Sequence, residues 1–135
     1  MPSGPRIYRI ILPVSPIDEI AAFYTRLLGI EGMRVSGGRH YFDCGGVILA
    51  LYDPAGDGDS LEPRPNIEHV YLAVQELEPY WERARDLGAL VDETGDGNLA
   101  MGAINTRPWG ERSFYARDPF GNPLCFVDQT TVFTG

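Results

Sequence analysis

Few residues in this chain have the chemistry for a reactive or ligating role. There are two histidines, His40 and His69, and two cysteines, Cys44 and Cys125. His69 lies in EHVYLAV, two positions before Tyr71. An imidazole there suits a general base, a metal ligand or a hydrogen-bonded sheet histidine. Cys125 lies inside the apolar run PLCFVD. A thiol in such a run is either a small buried hydrophobe or a ligand for a soft metal. The cysteines are too few for a disulfide framework and lack CxxC spacing, so both are expected as free thiols. Arg9 stays protonated and offers no lone pair. It either pairs with an acid across a sheet or meets an anionic group, such as an enolate or oxyanion beside a His69 base. Trp109, between Pro108 and Gly110, suits a cap on the core or an aromatic lid. His40, next to a turn, is expected to be exposed or at a pocket edge. Glu68, Glu111 and Asp128 would offer oxygens only if their strands twist unusually.

The elements that must hold these residues come in two sets. RIYRIILPV is mostly apolar and β-branched and predicts a strand over 6–14. Ile17, Ile20, Ala21, Tyr24, Leu27 and Leu28 recur at helical spacing, and Gly29 ends that helix. Strands are expected around Met33–Val35, Arg39–Cys44 and Val47–Tyr52, with glycine pairs as turns. Residues 54–66, PAGDGDSLEPRPN, read as an exposed linker. The order then repeats. A strand covers 66–74, and Leu77, Tyr80, Trp81, Ala84 and Leu87 make a helical stripe that Gly88 ends. Ala89–Asp92 looks like a strand, and Asn98–Thr106 is ambiguous. Glu111–Arg117 and Pro123–Asp128 form a hairpin around the turn DPFGN. Laid over each other, the halves place Arg9 on His69, Ala50 on Cys125, Asp53 on Asp128 and Arg39 on Arg112. The second copy needs two extra residues in its turn. Arg39 and Arg112 are expected to make structural ion pairs, and Trp81 to be core.

One β-α-β-β-β unit used twice predicts an α+β fold. The expected form is a single domain over 1–135, with module 1 at about 6–54, a linker at 54–66 and module 2 at about 66–128. The two βαβββ modules form a curved mixed, mostly antiparallel sheet around a cleft, with helices outside. Alternation sorts the strands. If His69 faces the cleft, so do Tyr71 and Ala73, while Val70, Leu72 and Val74 pack on helices. Arg9, Ile11 and Pro13 share that face, as do Ile48, Ala50 and Tyr52, and Cys125 with Val127. With Tyr41 and Trp109, these residues mix aromatic and aliphatic walls with a few polar groups, the usual makeup of a small-molecule pocket.

The doubled unit, FYTRLLGI after the first strand and WGERSFYARDPFGNPLCF near the end resemble the vicinal oxygen chelate superfamily. That group includes glyoxalase I, bleomycin-resistance proteins and extradiol dioxygenases. The resemblance covers about residues 6–128 and implies the fold more than the activity. It also implies four cleft positions where metalloenzymes of the group carry ligands. Here these are Arg9, Ala50, His69 and Cys125. Arginine and alanine ligate nothing, and two candidates fall short of the three protein ligands a catalytic zinc normally has. No metal or other cofactor is therefore expected.

Nineteen acidic residues against eleven basic ones give a formal charge of −8, which disfavours nucleic acid and anionic membranes as partners. No stretch approaches the about 20 apolar residues of a membrane span. The opening MPSGPRIYRI lacks a secretory h-region. A cytoplasmic location is expected. The sequence thus points to a metal-independent protein that binds a small, aromatic or cationic molecule, like the drug-sequestering bleomycin-resistance branch; tyrosines, Trp109 and the acidic charge favour a cation, Arg9 an anion, and the ligand's charge stays open. Its expected ligand-binding residues are Arg9, Tyr41, Ala50, Tyr52, His69, Tyr71, Trp109 and Cys125, and its expected assembly is a homodimer. The alternative is an enzyme of the same superfamily, a lyase, isomerase or dioxygenase, with His69 as metal ligand or general base and Arg9 beside it.

Overall fold

The computed structural model describes residues 3–135. Met1 and Pro2, which the single-domain expectation includes, lie outside the described residues. Strand β1 (Arg9–Pro13) leads into helix α1 (Ile17–Leu28), followed by β2 (Met33–Ser36), β3 (Arg39–Cys44) and β4 (Val47–Tyr52). A short 3-10 turn, Pro54–Asp57, opens the linker. The second set is β5 (Val70–Val74), α2 (Leu77–Asp86), β6 (Asn105–Thr106), β7 (Arg112–Arg117) and β8 (Pro123–Asp128). The fold is the α+β arrangement of two βαβββ modules that the repeat predicts. Its strands fall into two four-stranded mixed sheets, ordered β1-β4-β3-β2 and β5-β8-β7-β6. In each sheet the first and last strands of the module are parallel and the other pairs are antiparallel.

Each helix covers one face of its own sheet, and the helices touch each other. The apolar stripe of α1 is buried through Ile17, Ile20, Tyr24 and Leu27, and Gly29 closes it with φ 69°, the left-handed cap that glycine adopts without a Cβ penalty. One core joins Leu12, Leu49, Leu51 and Phe42 of the first module to Leu77, Phe114, Leu124 and Phe126 of the second. Burial of this much apolar surface is the main stabilising contribution.

The DPFGN turn between β7 and β8 does more than reverse the chain. The Asp118 carboxylate accepts from the backbone N–H groups of Phe120, Gly121 and Asn122. Its other oxygen accepts from the buried Tyr24 hydroxyl at 2.7 Å. Asn122, with no exposed surface, donates to the Pro13 carbonyl at 2.7 Å and accepts from the Asn66 N–H at 2.8 Å. Arg83 of α2 donates to the Leu27 carbonyl of α1 at 3.0 Å. Buried polar groups satisfied across the module boundary hold the halves in one geometry.

Two local expectations are corrected. Ala89–Asp92 is not a strand. It makes one bridge, Leu90 opposite Ala116, and then stops, because the Met101 carbonyl takes the Tyr115 N–H. The outer edge of β7 is completed further on by β6, opposite Ser113 and Arg112. Residues 92–104 thus leave the sheet edge and return to it. The internal alignment also slips by one in β7. Tyr41 pairs with Ala50 and Arg39 with Tyr52, whereas Tyr115 pairs with Cys125 and Ser113 with Val127. Arg39 therefore corresponds to Ser113, and the second turn holds one extra residue, not two. A one-residue offset changes face. Arg39 lies against Tyr52 and Asp57, while Arg112 reaches Glu78 of α2 and Asp128. Both make the expected ion pairs, on opposite sides of their sheets.

Candidate functional site

The face of each sheet turned away from its helix carries the candidate residues. On the first sheet Ile11, Ala50 and Tyr41 stand side by side across β1, β4 and β3. A depression of about 320 Å³ is lined there by Arg9, Ile11, Arg39, Tyr41, Ala50 and Tyr52. Arg9 has no acid partner among the described ion pairs. Its guanidinium donates to the Tyr41 hydroxyl at 3.1 Å and the Tyr8 hydroxyl at 3.3 Å, and lies 5.2 and 5.9 Å from the two ring centres. Arg39 is committed to Asp57 at 2.6 Å and stacks on Tyr52 at 4.2 Å. The Tyr52 hydroxyl donates to Asp59. Ala50 is only 2% exposed and contributes floor, not contact area.

On the second sheet Tyr71, Cys125 and Tyr115 form the equivalent row. His69 precedes β5 and faces the Tyr115 ring edge-on, with centroids 5.0 Å apart, and the Tyr71 ring at 6.2 Å. Burial lowers its pKa; Glu68 pulls it up, and Arg117 adds to the lowering. The imidazole is therefore neutral at pH 7. Cys125 is 1% exposed, and burial pushes its thiol up to about 11. It packs with Val91, Tyr115, Val127 and Met101 in a small core of its own. In a single chain it meets a ligand only if the segment over it moves.

That segment is residues 92–107, and its anchor is Arg107, which no periodicity in the sequence marks. Arg107 is 4% exposed. It donates to the Ser113 Oγ and carbonyl and to the carbonyls of Ala100, Met101 and Ala103. Its guanidinium lies 5.1 Å from the Tyr115 ring centre. The one available signal is compositional: it is the only charged residue between Asp96 and Glu111. A Cβ on Gly102 would overlap the Val91 carbonyl, so glycine permits the close return of the segment.

Beside this cover lies a second depression, of about 360 Å³, lined by Tyr71, Ala73, Trp109, Glu111, Val127, Val132 and Phe133. Trp109 is part of its wall. The indole N–H donates to Glu111 Oε1 at 2.8 Å, and the Phe133 N–H donates to Glu111 Oε2 at 2.9 Å. Glu111 needs no unusual twist to reach this face.

The candidate residues therefore divide by module. Arg9, Tyr41, Ala50 and Tyr52 share one depression, Tyr71 and Trp109 another, and His69 and Cys125 flank Tyr115. Among the described residues no cavity joins the two groups. A larger groove, of about 470 Å³, is apolar and runs from Ile10 and Leu49 to Val70, Leu72 and Phe126. Tyr71 is its only candidate residue. His40 lies on the helix side, not at a cleft edge. Its Nδ1 accepts from Arg34 at 3.2 Å, its ring packs on Phe42, and burial lowers its pKa.

The donor set does not fit a divalent ion. Ala50 has no donor atom, Arg9 is a cation held by tyrosines, and Cys125 is a buried neutral thiol. Among the described residues no three His, Cys, Asp or Glu side chains are grouped to hold a metal. Among the described residues no helix is long and apolar enough to cross a membrane.

A family model described as Glyoxalase/Bleomycin resistance protein/Dioxygenase superfamily matches residues 6–126. No curated protein matches in sequence. Solved structures do. The lactoylglutathione lyase from Agrobacterium tumefaciens is 21% identical with a TM-score of 0.64, over 96% of this chain and 98% of that one. A glyoxalase/bleomycin resistance protein from Albidiferax ferrireducens T118 is 16% identical with a TM-score of 0.68, over 90% and 97%. The oxidase ChaP-H2 is 22% identical with a TM-score of 0.69, over 93% and 94%. At such identities the likeness is one of fold.

Proposed function

Because the chain belongs to the glyoxalase/bleomycin resistance protein/dioxygenase superfamily, we propose that it is a metal-independent cytoplasmic protein that binds a small aromatic molecule on the open faces of its sheets. The observation that carries this reading is the exchange of residue types at the four ligand positions. Arg9, Ala50, His69 and Cys125 offer one ordinary ligand, while aromatic side chains line the depressions beside them. Sequestration needs affinity and no bond-making, so it loses nothing by this exchange.

The protein acts as a homodimer in this reading. The two groups of candidate residues lie on different sheets, and a second copy would bring the Arg9 face of one chain opposite the His69 face of another. Apolar side chains on or next to these faces, Ile11 at 50%, Met33 at 68% and Tyr71 at 56% exposure, suit a partner.

A thermal-shift panel of neutral, anionic and cationic monocyclic aromatics tests the binding reading. At least one class is expected to raise Tm, since a ligand that binds only the folded state stabilises it. A folded protein that responds to none would overturn it. The second reading, an enzyme using His69, draws on the neutral imidazole and on the lyase and the oxidase among the structural relatives. It requires that His69→Ala abolish a turnover while leaving affinity in place.

A further inference from the structure

Glu111 is the one carboxylate on the open face of the second sheet that is closed off from water, at 8% exposure. It has no cationic partner among the described ion pairs. Its two hydrogen bonds come from neutral donors, one to each oxygen, and a carboxylate has about four acceptor positions. The adjacent Arg112 turns to Glu78 and Asp128, and Arg107 spends its guanidinium on Ser113 and three other backbone carbonyls. A buried negative charge without a counter-ion is costly. Here it also borders a depression walled by three aromatic rings that remain accessible: Tyr71 at 56%, Trp109 at 36% and Phe133 at 58%. The negative faces of aromatic rings attract cations. Ala73, Val127 and Val132 complete an apolar lining, which suits a bulky, weakly hydrated ammonium.

From this we propose that the depression between Tyr71, Trp109, Phe133 and Glu111 is a site for an organic cation, a small quaternary or tertiary ammonium. The rings supply cation–π contact and Glu111 the counter-charge. The inference rests on the binding reading above and gives the ligand's charge, which the sequence leaves open because Arg9 favours an anion. The volume, about 360 Å³, is at the small end of ligand pockets. Tying both the indole and the C-terminal segment to one carboxylate sets two of the walls before any ligand arrives, which lowers the ordering cost of binding.

The test titrates the full-length protein with phenyltrimethylammonium, and with 3,3-dimethylbutanol and choline as a neutral and cationic pair of equal shape. Binding is read from the Trp109 indole N–H resonance. Phenyltrimethylammonium is expected to shift it, and choline to bind about tenfold more tightly than its neutral isostere. Glu111→Gln should weaken the cation by about tenfold and leave the neutral compound unaffected. Tyr71→Leu, which leaves both Glu111 hydrogen bonds in place, should weaken it as well, so that the result does not rest on one variant's folding. Equal affinity for choline and the neutral isostere would overturn the proposal, as would unchanged cation binding in both variants. All eleven basic residues are arginine, so a second copy could offer one to Glu111 instead. A dimer weakened by Glu111→Gln, with no binding of cations to the parent protein, would assign Glu111 to the interface and sink the idea. Benzoate or phenol binding without any cation response would remove the cation site and keep the binding reading. Silence to every probe would remove both.

Discussion

At the scale of the residue, environment separates the four ligand positions more than identity does. Cys125 has the donor atom a soft metal wants, but its thiol is held neutral at any ordinary pH by the packing of Tyr115, Val91 and Met101. Cys44 is half-buried, and its pKa is also raised by burial. Thiolate is the reactive form. A thiol–disulfide exchange reagent at pH 8 is therefore expected to modify Cys44 slowly and to reach Cys125 only in denaturant. Two thiols reacting at equal rates in the folded protein would show that the cover over Cys125 opens freely. Parity made the faces of His69, Tyr71 and Arg9 legible in the sequence, because alternation along a strand is a strict rule. It failed for Arg39 and Arg112. Both open a strand with similar letters, and the true register depends on one residue in a turn that no pattern counts. Glu111 and Phe133 were not legible as wall residues, since their meeting depends on how the C-terminal segment returns.

Among the elements, the interrupted edge of β7 is the main departure from symmetry. The first module completes its sheet with β2. The second does so with one bridge at Leu90 and the two-residue β6, and the residues between them fold over the open face. Arg107 holds that cover by a planar fork of donors aimed at carbonyls of the segment and at Ser113. Arg107→Met keeps bulk and removes the fork. It is expected to cost about 2–4 kcal/mol through the loss of several charge-assisted hydrogen bonds. It should also speed amide exchange across residues 92–106 ahead of global unfolding. Arg107→Lys should recover only part of the loss, because an ammonium does not reproduce the fork. Protection unchanged in the Met variant would show that the cover is held by packing alone. The regular strands and both helices were legible because they are periodic. Residues 89–106 were not, because their hydrogen bonds go to a distant strand and to one buried arginine, and neither leaves a period in the sequence.

For the whole molecule, each sheet carries its helix on one face and leaves the other open, with apolar side chains exposed on or beside it. Sedimentation at micromolar concentration should therefore find a dimer, and Ile11→Glu with Met33→Glu should give a folded monomer, the added charge having no place in an apolar contact. A parent protein that sediments as a monomer at about 100 µM would remove the assembly from the proposal. The tie between the halves has a further consequence, in the order in which the chain is made. Tyr24 lies in the first helix, yet its hydroxyl finds its acceptor 94 residues later, and the Pro13 carbonyl waits 109 residues for Asn122. Synthesis runs from the N-terminus at about 5–20 residues per second, so for several seconds the first module has its strands and helix but lacks the partners for these groups and half of its core. On the ribosome the first module is expected to wait for these partners until the five-residue turn and the strand that follows it, β8, have emerged.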